Sequence, residues 1–282
     1  MPELPEVETV ARGLRAVLPG RRILDVRLGK TDFIDDPAEL ERELPGSRIA
    51  GVRRFGKFLL LELEGADGGR AAFSLQIHLG MTGQIVTCPP GARVPPHTHV
   101  FFGLDDGREL RYTDVRRFGR MRILANGARD EVLGEQGLDP LEAGEQEFRA
   151  SISSRRARIK ALLLDQHVLR GIGNIYTDES LWRARIHPAR LGAKLKEEEL
   201  KRLFRVVQAV LKEAIRLRGS SVSDYVDSNG ERGEFQSRHR VYQREGKKCF
   251  RCATPIRRVI VAGRSSYFCP RCQAAPRGRK RR

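Results

Sequence analysis

Cys249-Phe250-Arg251-Cys252, sixteen residues, then Cys269-Pro270-Arg271-Cys272 is the spacing that decides the C-terminal fold of this 282-residue chain. Two residues between cysteines let a tight turn aim both thiolates at one tetrahedral ion. An interval of this length suits a β-hairpin between two such turns. Ile256–Val261 and Ser266–Phe268 are the expected strands, with Gly263 near the turn. Four thiolates fill the coordination shell. The expectation is therefore one structural Zn2+ per chain, held by Cys249, Cys252, Cys269 and Cys272, and no catalytic metal. The hairpin carries Arg251, Arg257, Arg258, Arg264 and Arg271 and no acid, a surface suited to phosphate. Cys88 stands apart from the quartet and reads as a buried bystander.

Charge widens that reading from the hairpin to half the chain. Residues 151–282 hold 32 basic and 12 acidic side chains, whereas residues 1–150 hold 21 and 24. The entire surplus of +17 therefore lies in the second half, which should seek a polyanion. No run of about 18 apolar residues is present, so no membrane helix is expected. The acidic, Pro-rich start lacks the features of a signal peptide. A cytoplasmic protein follows, and its cysteines suit metal better than disulfides.

Upstream, Pro5 and the acids Glu6 and Glu8 favour a helix start, and Val7, Val10, Leu14 and Val17 recur at helical spacing. Pro19-Gly20 ends that helix. Short apolar runs follow at Ile23–Leu28, Phe58–Leu63, Ala71–Leu79, Val100–Leu104 and Met121–Leu124. Turns are expected at Gly65-Ala66-Asp67-Gly68-Gly69 and Asp105-Asp106-Gly107. Many short strands in about 100 residues suggest a β-sandwich or barrel. Residues 125–150 are polar and acidic and read as a linker. Helical periodicity returns over Arg155–Asp165, Asn174–Ala184 and Glu197–Leu217. Residues 219–240 read as a mobile polar loop.

The first helix is preceded by Pro2-Glu3-Leu4-Pro5-Glu6-Val7-Glu8-Thr9. Further blocks follow in order: Arg53-Arg54-Phe55-Gly56-Lys57, His78-Leu79-Gly80-Met81-Thr82-Gly83, Arg111-Tyr112-Thr113-Asp114, Arg116-Arg117-Phe118-Gly119 and Gly171-Ile172-Gly173-Asn174-Ile175-Tyr176. With the cysteine quartet, they resemble the bacterial formamidopyrimidine-DNA glycosylase family over nearly the whole chain. The chemistry of Pro2 agrees. Once Met1 is removed, Pro2 would carry a free secondary α-amine, able to attack sugar C1′ and form an iminium. Glu3 beside it can move protons to the sugar ring.

The resemblance implies catalytic roles for Pro2, Glu3, Lys57 and Arg264, with Glu6 and Glu179 supporting the active site. Glu179 falls where the base is recognised, though it could equally be a helix-surface or capping carboxylate. His97, Arg116, Arg155 and Asn174 would contact DNA. Met81 and Phe118, with Arg116, would fill the gap left by an everted nucleotide. Sequence alone would place Met81 and Phe118 in a core. Arg155 stands where the family has lysine, and the loop beyond Gly219-Ser220-Ser221 departs from the family pattern.

The implied fold is α+β and multidomain. A β-sandwich with a leading helix spans 1–130, and a linker 131–150. A helix-two-turn-helix domain spans 151–240, with a lesion-recognition loop near 219–240. The four-cysteine zinc hairpin spans 241–275 and a basic disordered tail 276–282. The implied activity is a bifunctional glycosylase and AP lyase of base excision repair. It would remove 8-oxoguanine and formamidopyrimidines from damaged double-stranded DNA as a monomer in the bacterial cytoplasm, at the nucleoid. An endonuclease VIII-like glycosylase for oxidised pyrimidines is the same-class alternative, and Leu4 argues for the formamidopyrimidine branch. A non-catalytic zinc-finger protein that binds DNA damage is the other, and intact Pro2, Glu3 and Lys57 argue against it.

Overall fold

The structure is a computed structural model and describes residues 1–65, 72–125 and 134–275. The chain divides into two compact units, Met1–Glu135 with Ile215–Gln236, and Gln136–Ala214 with Ser237–Arg282.

The first unit opens with α1, Leu4–Arg15. Pro5 sits in its first turn, and Glu6 Oε2 accepts from the Glu3 N–H at 2.8 Å. That bond satisfies one of the amide donors a helix start leaves free. Leu4, Val7, Val10, Ala11 and Leu14 form its buried face. Eight strands follow: β1 Ile23–Leu28, β2 Arg48–Phe55, β3 Phe58–Glu64, β4 Phe73–His78, β5 Gly83–Cys88, β6 Thr98–Leu104, β7 Glu109–Asp114 and β8 Arg120–Ala125. A short α2, Pro37–Glu43, lies between β1 and β2. The strands form two antiparallel four-stranded sheets, ordered β2-β3-β4-β8 and β1-β6-β7-β5. One core joins α1 to both sheets, with Leu61, Leu75 and Ile77 from one and Val100, Phe102 and Tyr112 from the other. This is the expected sandwich with a leading helix.

Several local expectations change. β2, β5, β7 and α2 were not legible as elements. Cys88 ends β5 half-exposed rather than buried, because β5 is an edge strand. The turn expected at 65–69 falls on residues 66–69, outside the described ones.

The second unit holds α3 Glu145–Ser153, α4 Ile159–Leu164, α5 Asn174–Arg183 and most of α6 Glu197–Arg216. The linker reading of 125–150 is corrected here. Residues 126–133 lie outside the described ones, but Phe148 and Ile152 give α3 a fully buried face. α4 is shorter than the periodic stretch 155–165. The turn into α5 is braced by Gln166, which accepts from Gly171 N at 2.8 Å and donates to Ile172 O at 3.0 Å. β9 Arg257–Val261 and β10 Arg264–Phe268 form the C-terminal hairpin. Ala262 and Gly263 both adopt positive φ, +52° and +70°, the conformation of a two-residue hairpin turn. The expected tail 276–282 lies outside the described residues.

The hairpin hangs on the helices through a buried ion pair. Lys160 Nζ donates to Asp178 Oδ1 and to Ser265 O, both at 2.7 Å. The other Asp178 oxygen accepts from Tyr267 N at 2.9 Å. Burial pushes the Asp178 carboxyl up to about 7, against the pull of Lys160 and the Tyr267 N–H. Arg251 adds a second tie. Its guanidinium stacks 3.9 Å from the Trp182 ring and caps the end of α5 by donating to Trp182 O and Arg183 O.

The expected unit 151–240 is cut at residue 215, because the following segment packs on the first unit. Ser220 N donates to Glu6 Oε1 at 2.7 Å and Tyr225 OH to Glu6 O at 3.2 Å. Gln84 Nε2 donates to Asp224 O, and Thr87 N to Ser228 O. Gly219 has φ +78°, and a Cβ there would lie 2.8 Å from Glu6 Oε1, so glycine permits the approach. These bonds anchor a segment whose composition reads as a mobile loop.

Lys160→Met should destabilise the second unit by about 3–5 kcal/mol, since it leaves a buried carboxyl without its counter-charge. Urea unfolding followed by fluorescence of Trp182, the single tryptophan, measures this. A loss under about 1 kcal/mol would show that the pair does not hold the hairpin.

Candidate functional site

At the start of α1, Pro2, Glu3 and Glu6 are all buried. Glu6 accepts from two backbone N–H groups, those of Glu3 and Ser220, and so fixes the approach to Pro2. Lys57 is half-buried at the turn between β2 and β3, next to Gly56 at φ +59°. His78, on β4, is the residue that relates them, and sequence reading assigned it no role. Its ring packs 5.2 Å from that of Phe58, its cross-strand neighbour. Its Nδ1 accepts from Gly80 N at 3.2 Å, which leaves the proton on Nε2. Burial holds the imidazole neutral, helped by the positive charges of Lys57, Arg120 and the chain N-terminus, and together they bring it down to about 4. The expected amine and lysine thus both bear on one buried imidazole.

Asp114 organises a second group. It is fully buried and accepts from Thr82 Oγ1, Tyr112 OH at 3.1 Å, Gly119 N at 2.9 Å and Arg116 N at 3.3 Å. The turns at 79–83 and 115–119 are thereby tied together. Gly80 has φ +60°, and a Cβ there would meet the Phe118 carbonyl carbon at 2.4 Å. Side chains leaving these turns point into water. Met81 is 39% exposed and Phe118 53%, which corrects the core reading of both. Arg116 stacks its guanidinium 4.4 Å from the Phe118 ring. His97 is exposed in the loop before β6 at φ +64°, and its carbonyl accepts from Asp114 N at 3.0 Å. An exposed apolar pair beside a cation, held by a buried carboxylate, suits insertion into a stack of bases.

The remaining site residues stand on the second unit. Asn174 opens α5 and donates from Nδ2 to Ser265 O at 3.0 Å, which brings it within one residue of Arg264. Arg264 is exposed directly after the hairpin turn. Arg155 is exposed with its neighbours Arg156 and Arg158. Glu179 is not a helix-surface carboxylate, and the backbone it caps is that of a distant loop rather than its own helix. It is fully buried and accepts from Arg240 N, Val241 N and Tyr242 N at 2.8–3.0 Å. Its burial pushes the carboxyl up, and those three donors oppose the shift. Glu179 thus positions the 240–242 backbone.

The four cysteine sulfurs lie within 4.8 Å of one another. Zinc with bonds of about 2.3 Å needs sulfurs about 3.8 Å apart. Cys252–Cys269, Cys252–Cys272 and Cys249–Cys272 measure 3.4, 3.5 and 4.0 Å. Backbone N–H groups of Arg251 and Cys272 point at Cys249 Sγ and Cys269 Sγ, as thiolate turns require. The donor set fits one structural zinc, which leaves no open position for chemistry.

A helix-led β-sandwich, a helix-two-turn-helix unit and a four-cysteine hairpin define the class of zinc-finger DNA glycosylases. Comparison with known proteins fixes the family. Residues 1–121 match the formamidopyrimidine-DNA glycosylase N-terminal domain, 126–226 its H2TH domain and 246–275 the zinc finger found in FPG and IleRS. The formamidopyrimidine-DNA glycosylase of Pelotomaculum thermopropionicum is 44% identical over 281 residues, covering 97% of this chain and 99% of that protein. The solved MutM (Fpg) protein from Thermus thermophilus superposes with a TM-score of 0.84 at 41% identity, covering 98% of this chain and 100% of that one. The Lactococcus lactis Fpg in complex with abasic-site DNA gives 0.86 at 34%, covering 97% and 100%. The chain belongs to the formamidopyrimidine-DNA glycosylase family.

Two outcomes follow. An unfolded histidine takes up a proton near pH 6.5, but folded His78 resists until about 4. Its contribution is therefore complete above about pH 6.5 and lost as pH falls toward 4, by about 3 kcal/mol. The difference in stability between wild type and His78→Gln, measured across that window, should carry this slope; a flat difference would refute it. Removal of zinc by a chelator should release one ion per chain and strip hydrogen-exchange protection from residues 257–268. Amides of β3 and β4 should keep theirs.

Proposed function

We propose that this DNA glycosylase removes oxidised purines, chiefly 8-oxoguanine and formamidopyrimidines, from duplex DNA and then cuts the strand as an AP lyase. The observation that carries the reading is that the charges of the N-terminus and Lys57 both bear on the buried His78 ring, together with the buried helix start that carries Glu3. With Met1 removed, the Pro2 nitrogen attacks C1′ as the glycosidic bond breaks and the base leaves with that electron pair. Glu3 delivers a proton to the ring oxygen, the sugar opens, and C1′ becomes an iminium on Pro2. Loss of a C2′ proton then expels the 3′ phosphate, and a second elimination expels the 5′ phosphate. Water finally hydrolyses the iminium and frees Pro2.

Lys57, His97, Arg155 and Asn174 hold phosphates in this reading, and Arg264 grips the phosphate at the lesion and assists the last elimination. Met81, Arg116 and Phe118 fill the vacated stack. Their exposure supports that role, since an exposed Met and Phe cost hydration unless they meet a partner. Glu6 and Glu179 act through the backbone they hold, Glu6 at the helix start and Glu179 at residues 240–242. The chain works as a monomer at the bacterial nucleoid. Lactococcus lactis Fpg has been solved with Fapy-dG DNA, and also with DNA containing an oxidised pyrimidine. Pyrimidine lesions are accordingly the second reading.

Protein whose N-terminus is Pro2 by intact mass, incubated with an 8-oxoguanine duplex and borohydride, should yield a covalent adduct. No adduct would exclude the Schiff base and favour a non-catalytic damage binder. A faster adduct with thymine glycol DNA would favour the pyrimidine reading. Glu3→Gln should lower base excision by about 10²-fold or more while leaving duplex affinity within about threefold.

A further inference from the structure

Phe250 is 58% exposed within the first zinc knuckle, between Cys249 and Arg251. Two guanidiniums cover its ring. Arg240 lies 4.6 Å from the centroid and Arg244 4.3 Å. Both arginines are half-buried, and among the described residues neither forms an ion pair. Glu245 is the single acid after Glu234, and Arg258 engages it at 3.2 Å. The backbone beneath is fixed. Arg240 N is held by Glu179, and Arg244 N donates to Val241 O at 3.0 Å. Zinc fixes the knuckle that carries the ring.

Two cations with no counter-charge would repel each other without a compensating surface. The negative face of an aromatic ring supplies one side of that compensation. Stacking uses the guanidinium faces and leaves planar, weakly hydrated N–H edges, the arrangement that binds an anion in two-point fashion; Arg244 also donates from Nη2 to Lys248 O at 3.4 Å. Lys247, Lys248, Arg257 and Arg258 are exposed nearby in sequence, so the surroundings favour a repeating phosphate backbone.

We propose that Arg240 and Arg244, stacked on Phe250, form a phosphodiester clamp on the first zinc knuckle, a DNA-backbone contact separate from Arg264. The clamp rests on the reading that the chain binds duplex DNA. It extends the grip from the hairpin turn to the loop that buried Glu179 shapes, and it gives that carboxylate a purpose: it sets the arginine backbone under the ring.

The test is fluorescence anisotropy of the zinc-loaded protein on a 30-base-pair duplex with a tetrahydrofuran abasic analogue, titrated with salt. Each lost phosphate contact lowers the slope of log affinity against log salt by about 0.9. Arg240→Gln/Arg244→Gln with full zinc content should therefore lose about 0.9 to 1.8 of slope. Arg240→Lys/Arg244→Lys should keep the slope and weaken binding. Phe250→Ala should weaken binding about two- to fivefold with its charge intact. Wild-type binding with an unmoved slope in the glutamine variant overturns the clamp alone. So does an oligo-glutamate peptide that binds wild type and is the only ligand lost by the variant. No duplex binding by wild type overturns the DNA-binding reading beneath it.

Discussion

A carboxylate withdrawn from water must find donors, because an uncompensated buried charge costs several kcal/mol. In this protein most of the donors lie outside helices and strands. Glu6 accepts from the N–H groups of Glu3 and Ser220, Asp114 from those of Arg116 and Gly119, Asp178 from that of Tyr267, and Glu179 from those of residues 240–242. Glu6, Asp114 and Glu179 pin irregular segments to regular structure, and Asp178 pins the hairpin strand β10 to α5. The candidate site stands on those segments, so its shape depends on four side chains that scarcely touch solvent.

This explains how so basic a chain keeps its functional loops in one conformation. Arginine-rich loops repel themselves and gain nothing from apolar burial. A buried carboxylate beneath them supplies acceptors for their backbone N–H groups in a medium of low dielectric. Asp114 lies under Arg116, and Glu179 under Arg240. Cations face outward while the backbone that carries them is bound from within.

The parts of the fold legible in sequence are those set by local pattern. α1 and α6 show a 3.6-residue apolar period, and the zinc turns depend on cysteine spacing alone. β7 was hidden because Arg111 occupies a buried position, where Glu109 neutralises it. α3 was hidden because only Phe148 and Ile152 of nine residues reach the core. Met81 and Phe118 looked apolar and therefore internal; only tertiary contacts of Gly80 and Asp114 turn them outward. The family resemblance named the site residues, but the partner of a buried carboxylate can be 214 residues away, as Ser220 is from Glu6, and no local pattern records that.

The first unit is built from two stretches of chain, Met1–Glu135 and Ile215–Gln236. A ribosome releases them in that order, and many domains fold as they emerge. The sheets can therefore form early, while one oxygen of Glu6 still awaits the Ser220 N–H. For the interval in which roughly eighty residues are made, the helix start bearing Pro2 lacks its second brace. The end of the molecule that is synthesised first is thus among the last to be finished. A nascent chain carries Pro2 from the beginning, yet braces the helix start beside it fully only once the segment bearing Ser220 has arrived.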